Sequence, residues 1–220
     1  MEYSEALSII HHATRLGSQL GLERITRLCS LLGRPQDRLR FVHVAGTNGK
    51  GSTVAMTANI LQKAGYKTGM FISPFVLDFR ERMQINGEMI PPQELADTLE
   101  HMLPFIEQMK GEGSEPTEFE IVTALGLCWF ADRGCDVVVF EVGLGGRFDS
   151  TNVIDPPACA AILSISLDHT HILGNTTGEI AFEKCGILKK GSRAAIYPCL
   201  DDEARTVVEP FRGYADLEIN

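Results

Sequence analysis

Residues 43–53 read HVAGTNGKGST, and this stretch decides the fold. An apolar run from Phe41 to Ala45 leads into it, and helix-compatible residues follow it. Glycines let the backbone approach anionic oxygens, and the free amides at the start of a helix carry partial positive charge. We therefore predict a buried strand, then a phosphate-binding loop, then a helix that begins at about Ser52.

The residue types in this loop indicate how it would hold a nucleotide. Lys50 would reach the β- and γ-phosphates, and the hydroxyl of Ser52 or Thr53 would face a magnesium ion. The spacing departs from the ordinary Walker pattern because Gly51 separates the lysine from the hydroxyl residue. The alternative is a plain glycine turn followed by a surface lysine. The predicted ATP-binding residues are Gly46, Thr47, Asn48, Gly49, Lys50, Gly51 and Ser52.

Length and charge limit the classes of function that remain open. A chain of 220 residues suits one domain with a substantial core. With 29 acidic and 20 basic residues the net charge is −9, which argues against nucleic acids and anionic membranes as partners. The N-terminus is acidic and lacks a signal-peptide core, and six scattered cysteines form no Cys-x-x-Cys pair. We expect a cytoplasmic protein that binds small molecules.

Apolar runs alternate with segments of helical periodicity along most of the chain. This alternation predicts an α/β fold with a mostly parallel sheet flanked by helices, and ligands at the carboxyl ends of the strands. Residues 73–90 are charged and turn-rich, and we predict an irregular loop there. The predicted strands are 40–45, 67–72, 135–142, 158–165 and 194–197, and the predicted helices are 3–16, 22–32, 52–64, 92–110, 117–132, 176–188 and 201–208.

Four polar residues near strand ends or on helices are candidates for chemistry. Glu141 ends an apolar strand, a costly place for a carboxylate unless it is paired or binds a metal such as magnesium. Ser73 can offer a hydroxyl to a metal, although an ordinary solvated loop is the alternative. His169, after Asp168, is as compatible with a satisfied polar residue as with a ligand. On the residues alone, Lys184 is most simply a solvated lysine on a helix face.

Several blocks together resemble the folylpolyglutamate synthase and dihydrofolate synthase family, which belongs to the ATP-dependent Mur-type ligases. They are the phosphate loop, Ser73-Pro74 with the later Asn86-Gly87, the run EVGLGGRFDSTN at 141–152, and EKCGI at 183–187. The resemblance extends from about residue 3 to residue 191. It implies that residues 1–220 form a P-loop ATP-binding domain like the central domain of Mur ligases. It further implies that this domain is incomplete at its C-terminus and that a second, Rossmann-like glutamate-binding domain is absent.

The resemblance also implies a reaction. ATP would convert the carboxylate of dihydropteroate or of a (tetrahydro)folate into an acyl phosphate, and the amine of L-glutamate would then form the amide, with release of ADP and phosphate. A monomer is implied. The alternatives are a Mur-type peptidoglycan ligase, a P-loop kinase or switch, and a non-catalytic nucleotide-binding fragment.

Site residues follow from the same resemblance. Ser73, Glu141 and His169 would bind one or two magnesium ions, with Lys184 as a further ligand after carbamylation by carbon dioxide. The catalytic residues would be Lys50, Glu141, His169 and Lys184. Phe75 stands where the family has histidine, and Cys185 where it has alanine. The implied folate-binding residues are Gly21, Leu22, Glu23, Arg24, Arg82, Thr117, Glu118, Phe119, Glu120, Phe148, Asp149 and Ser150.

Overall fold

The computed structural model describes residues 1–17, 19–213 and 216–218. The strands are β1 (Phe41–Ala45), β2 (Thr68–Phe71), β3 (Met83–Ile85), β4 (Glu88–Met89), β5 (Val137–Glu141), β6 (Cys159–Ile162), β7 (Arg193–Ile196) and β8 (Asp216–Glu218). The α-helices are α1 (Tyr3–His12), α2 (Glu23–Leu31), α3 (Lys50–Lys63), α4 (Pro92–Gly111), α5 (Glu118–Asp132), α6 (Thr170–Leu173), α7 (Thr177–Cys185) and α8 (Asp202–Val208). Short 3-10 helices cover Ala13–Leu16, Pro35–Arg38, Phe79–Arg82, Ser150–Val153 and Glu209–Gly213.

The strands form one sheet in the order β4-β3-β2-β5-β1-β6-β7-β8. All pairs from β2 to β8 across the sheet are parallel, and only the edge pairs β2–β3 and β3–β4 are antiparallel. The predicted α/β fold with a mostly parallel sheet is confirmed. Since β1 lies between β5 and β6, the loops that follow these three strands emerge side by side at one edge.

Helices cover both faces of the sheet. The α3 face carries a small cluster with Val44, Val54 and Val139. The opposite face carries the largest core, where α1, α2, α4 and α5 pack over residues such as Phe71 and Phe140. Beside it, α7 and α8 pack over β6 and β7. Within the described ranges, no helix is both long enough and apolar enough to cross a bilayer.

The structure corrects the prediction that residues 73–90 are wholly irregular, because β3 and β4 form a hairpin. Its two-residue turn is Asn86-Gly87, with φ values of 51° and 82°. Two positive φ values are typical of the turn that matches strand twist, and asparagine followed by glycine tolerates them best. The Asn86 side chain also accepts a hydrogen bond from the backbone amide of Thr68 at 2.9 Å, so it ties the turn to β2.

Helix boundaries also differ from the predictions, and α7 ends at Cys185 rather than Leu188. The helix after the phosphate loop begins at Lys50 rather than Ser52, because Gly49 has a φ of 83° and ends the loop there. The first helix stops at His12 and continues only as a 3-10 turn. The loop after β6 contains the one-turn helix α6, which the sequence did not predict.

Candidate nucleotide and substrate site

The phosphate loop (residues 46–52) connects β1 to α3 and is anchored to the loop after β6. The amide of Thr47 donates to the carbonyl of Ser164 at 2.7 Å, and its hydroxyl donates to the carbonyl of Ser166 at 3.2 Å. A Cβ on Gly46 would lie 2.7 Å from the Cβ of Leu163, so a side chain does not fit there. This packing fixes the loop at the N-terminus of a 14-residue helix, where an anion is favoured.

Lys50 lies folded over the loop that it belongs to. Its Nζ donates to the carbonyls of Gly46 at 3.1 Å and Thr47 at 3.3 Å. This arrangement places the ammonium group above the loop amides, where the bound phosphates of a nucleotide would accept its hydrogen bonds instead. Gly46, Thr47 and Lys50 thus form a close turn from β1 into α3, and ATP binding by the seven predicted residues stays a prediction.

Glu141 and Ser73 meet beside this loop. Glu141 ends β5, is 4% exposed, and its Oε2 accepts a hydrogen bond from the amide of Ser73 at 3.1 Å. The same Oε2 lies 3.8 Å from where a Cβ on Gly51 would stand. Burial raises the pKa of Glu141, while the amide of Ser73 and the charge of Lys50 act in the opposite direction. The hydroxyl of Ser73 is buried and has no hydrogen-bond partner.

Lys184 is buried on α7, with 4% exposure, so the structure contradicts the simple interpretation of a solvated surface lysine. Burial and the nearby charge of Lys50 lower its pKa to about 8, and Asp168 and Asp149 partly offset this. Because Lys50 influences both Glu141 and Lys184, these three predicted residues belong to one electrostatic neighbourhood.

His169 lies in the loop after β6 and is exposed. Its side chain is 52% exposed, and its Nε2 lies 3.8 Å from Oδ1 of Asp168, which also accepts the backbone amide of His169. Its φ of 47° places it in the left-handed region just before α6. Among the described residues, no three His, Cys, Asp or Glu side chains converge on a common metal position. The structure thus brings Ser73 into contact with Glu141, and the charge of Lys50 acts on both Glu141 and Lys184.

A cavity of about 450 Å³ adjoins Ser73, and we call it the Ser73 cavity. It collects predicted folate-binding residues from three separate segments of the chain. Those that line it are Arg82, Thr117, Glu118, Phe119, Phe148, Asp149 and Ser150. Its other lining residues were not among the predicted folate-binding residues, and they are Thr14, Gly17, Gln19, Leu20, Ser73, Pro74, Gly143 and Leu144.

Arg82 is held in the cavity wall by aromatic rings. Its guanidinium carbon lies 5.2 Å from the ring centroid of Phe75 and 5.5 Å from that of Phe79. Burial lowers the pKa of Arg82, and the carboxylate of Glu118 acts against that shift. Phe75, which replaces the family's histidine, therefore supplies a cation–π support for Arg82 rather than a polar contact.

Five predicted folate-binding residues do not line the cavity, namely Gly21, Leu22, Glu23, Arg24 and Glu120. Arg24 instead pairs with the buried Glu120 at 3.0 Å and donates to the carbonyl of Gln19 at 2.8 Å. Glu120 also closes a capping box with Thr117 at the start of α5. Arg24 and Glu120 thus stabilise the cavity wall indirectly, because they contact Gln19 and Thr117, which line it.

Comparison with known proteins places this arrangement in a family. Residues 44–212 match the family model of the Mur ligase middle domain. The chain belongs to that family. The match spans the phosphate loop, Glu141 and Lys184, and ends within the 3-10 helix that follows α8.

Individual relatives define the similarity in sequence and structure more specifically. The chain is 48% identical over 191 residues to a dihydrofolate synthase/folylpolyglutamate synthase of Bacillus subtilis, covering 86% of this chain and 44% of that protein. The apo form of the folylpolyglutamate synthase (FPGS) of L. casei superposes with a TM-score of 0.92 at 37% identity, covering 99% of this chain and 53% of that one. A solved FPGS-AMPPCP-folate complex superposes with a TM-score of 0.91 at 36% identity, covering 100% and 53%. The chain thus spans about half the length of the relatives that it matches.

Proposed function

We propose that this chain carries the ATP- and folate-binding part of a ligase that joins L-glutamate to dihydropteroate or a (tetrahydro)folate. The observation that carries the proposal is the position of Ser73. Its amide is bonded to Glu141 beside the phosphate loop, and the same residue lines the Ser73 cavity. A phosphoryl donor on the loop and a carboxylate in the cavity would therefore meet at Ser73. The FPGS-AMPPCP-folate complex among the structural relatives supports this pairing of ligands.

The chemistry follows from this meeting point. A carboxylate is a poor electrophile, so the γ-phosphoryl group is first transferred to it, giving an acyl phosphate and ADP. The amine of glutamate then attacks the acyl carbon and displaces phosphate. Lys50 and the loop amides would offset the negative charge that spreads over the transferring phosphoryl group. The chain needs no side-chain nucleophile for this route, because positioning and electrostatics supply the catalysis.

The residues beside the loop also fit magnesium. An unpartnered buried hydroxyl on Ser73 and a buried carboxylate on Glu141 are the hard oxygen donors that this ion prefers. We propose that they hold a magnesium ion, which would neutralise phosphate charge when bound. His169 stays a predicted ligand of this ion.

Lys184 would become a ligand through carbamylation. Its neutral amine forms a bond to the carbon of carbon dioxide and releases one proton, which leaves an anionic carbamate. Burial favours the neutral amine, as its pKa of about 8 indicates. In ¹³C-bicarbonate, we expect a carbamate carbon signal from the wild type and from Lys190→Met, whose target lysine is exposed, but not from Lys184→Met.

The half-reaction tests the proposed function without requiring a glutamate site. The chain is incubated with Mg-ATP, dihydropteroate and hydroxylamine, which traps an acyl phosphate as a hydroxamate. We expect ATP-dependent dihydropteroyl hydroxamate. If a UDP-N-acetylmuramoyl substrate gives hydroxamate and dihydropteroate does not, the peptidoglycan ligase is correct instead. We further infer a cytoplasmic monomer, because the substrates are small soluble anions and ATP.

A further inference from the structure

A row of buried polar groups runs from the centre of the sheet to the Ser73 cavity. His43 lies on β1, and its Nε2 is 2.9 Å from Oγ1 of Thr151. That hydroxyl contacts Oδ1 of Asp149, which is one of the residues that line the cavity. His43 and Thr151 are fully buried, and Asp149 is 5% exposed. The three residues therefore connect the strand that leads into the phosphate loop with the wall of the substrate cavity.

The chemistry of the groups fixes the direction of these hydrogen bonds. An ionised carboxylate only accepts, so the single hydroxyl hydrogen of Thr151 is donated to Asp149. The oxygen of Thr151 then accepts from Nε2–H of His43. Burial lowers the pKa of His43 to about 3, with the charge of Lys189 acting in the same direction, so the ring is neutral. Its Nδ1 is buried without a partner, as expected for the nitrogen that carries no hydrogen.

The carboxylate of Asp149 is held from both sides. Its Oδ1 accepts the amide of Thr151 at 3.0 Å as well as the hydroxyl, and its Oδ2 accepts the amide of Leu144 at 2.9 Å. Burial raises the pKa of Asp149, and these hydrogen bonds favour the ionised form. The hydroxyl of Thr151 is thus one of the groups that favour the ionised, acceptor-only form of this carboxylate against the effect of burial.

We propose that His43 and Thr151 are positioning residues. They would orient the Asp149 carboxylate to accept hydrogen bonds from the N–H donors on the aminopyrimidinone edge of a pterin. This inference rests on the proposed function, because it takes the Ser73 cavity as the pterin site. The aminopyrimidinone edge of a pterin presents neighbouring N–H donors, and a fixed carboxylate complements them. His43 acts through Thr151 and does not line the cavity itself.

The surrounding contacts separate this role from a purely structural one. The side-chain amide of Asn152 donates to the carbonyls of Arg147 at 3.0 Å and Gly186 at 3.2 Å. Lys189 donates to the carbonyl of Asn152 at 3.0 Å. The segment that carries Asp149 is therefore anchored independently of the Thr151 hydroxyl. Removing that hydroxyl should change ligand binding more than it changes folding.

Two pairs of matched variants test the proposal. Thr151→Val removes the hydroxyl at constant shape, and Thr151→Ser restores it. His43→Leu removes the donor, and His43→Gln retains an N–H donor. Folate binding to each chain is measured by calorimetry with the nucleotide site filled by Mg-AMPPCP, and the affinity for Mg-AMPPCP and the Tm are measured alongside.

We expect Thr151→Val and His43→Leu to bind folate about tenfold more weakly, as for the loss of one hydrogen bond to a charged group. Thr151→Ser and His43→Gln should recover most of that loss, while nucleotide affinity stays within about twofold throughout. Equal folate affinity in the wild type and in Thr151→Val would overturn the positioning role. If Thr151→Val does not fold, the His43 pair decides.

A ligand-free measurement distinguishes failure of this inference from failure of the proposed function. ¹⁵N NMR of the imidazole reports which ring nitrogen carries hydrogen, and we expect the Nε2–H tautomer in the wild type. The Nδ1–H tautomer would refute the hydrogen-bond relay. A wild-type chain that shows the expected tautomer and binds Mg-AMPPCP but no folate would overturn the pterin site, and with it both proposals.

Discussion

Burial sets the protonation of the charged residues nearest the phosphate loop. Glu141 and Lys184 are both 4% exposed, and burial favours the neutral form of each. For a lysine that reacts with carbon dioxide, the neutral amine is the useful form. For a carboxylate that binds magnesium, the cation would favour the charged form when it binds. Burial therefore prepares Lys184 for carbamylation, and it makes the charged form of Glu141 depend on a bound metal ion.

Lys184 should make stability depend on pH. Its folded pKa of about 8 lies below the ordinary value of 10.5, so between these values the unfolded chain binds more protons than the folded one. The free energy of unfolding contributed by this residue therefore rises with pH across that window. In buffer without metal or carbon dioxide, we expect the wild type to gain about 1 kcal/mol per pH unit relative to Lys184→Met. Urea unfolding from pH 7 to 10 measures this.

The exposed Lys190 provides the control for that series. Lys190→Met removes the same charge from the neighbouring surface and should follow the wild-type curve across the whole pH range. Parallel curves for the wild type and Lys184→Met would show that Lys184 is not a buried amine in solution.

Glu141 should couple nucleotide binding to magnesium. Glu141→Gln keeps the volume and the acceptor for the amide of Ser73 but removes the charge that a cation requires. We expect the magnesium-dependent increase in ATP affinity to shrink by roughly tenfold or more. Isothermal titration of ATP at several magnesium concentrations measures it, with Glu107→Gln, on the exposed face of α4, as the control. An unchanged magnesium dependence would remove Glu141 from the metal site.

At the scale of secondary-structure elements, α7 packs closely against the loop after β5, and this packing brings Lys184 near the segment of Asp149. A Cβ on Gly146 would lie 2.9 Å from the carbonyl oxygens of Glu183 and Lys184. A Cβ on Gly186 would lie 2.4 Å from the Cα of Arg147. Glycine at these two positions lets the helix that carries Lys184 contact the loop that carries Asp149.

Gly186→Ala should separate these two elements. The contact is with backbone, so no side-chain rotation relieves it, and we expect a loss of about 2 kcal/mol in the free energy of unfolding. Folate affinity should fall as well, because Asn152 also bonds to the carbonyl of Gly186. Thermal and urea unfolding measure the first effect. Gly111→Ala, where the added Cβ would meet nothing within 4 Å, should leave stability unchanged or slightly raised. Wild-type behaviour of Gly186→Ala would contradict this packing.

The sequence predicts these elements where the signal is local. The loop between β1 and α3 and the strand that ends at Glu141 depend on neighbouring residues, and each is present. The partner of His43 lies 108 positions away, and no local pattern specifies it. The cavity contribution of Thr14 and Gln19 depends likewise on the packing of α1 against α5, which only the folded chain defines. The sequence does not predict the burial of Lys184, because the helix that carries it has the residue pattern of a solvated helix when it is considered alone.

At the scale of the whole molecule, the sheet order places both proposed ligand sites at one edge. The phosphate loop follows β1, Ser73 follows β2, and the loop with Asp149 follows β5, and these three strands are neighbours. The chain covers about half the length of the Bacillus subtilis and L. casei relatives. The sites described are those proposed for the nucleotide and for folate.

The most direct test of the account is calorimetric titration of Mg-ATP into the wild type, Lys50→Ala and Lys63→Ala. Lys63 lies at the exposed end of the same helix and serves as the matched control. We predict binding to the wild type and to Lys63→Ala, and at least about tenfold weaker binding to Lys50→Ala, which loses a charge-assisted contact to phosphate. A folded wild-type chain that does not bind Mg-ATP, or Lys50→Ala that binds as the wild type does, would contradict the account.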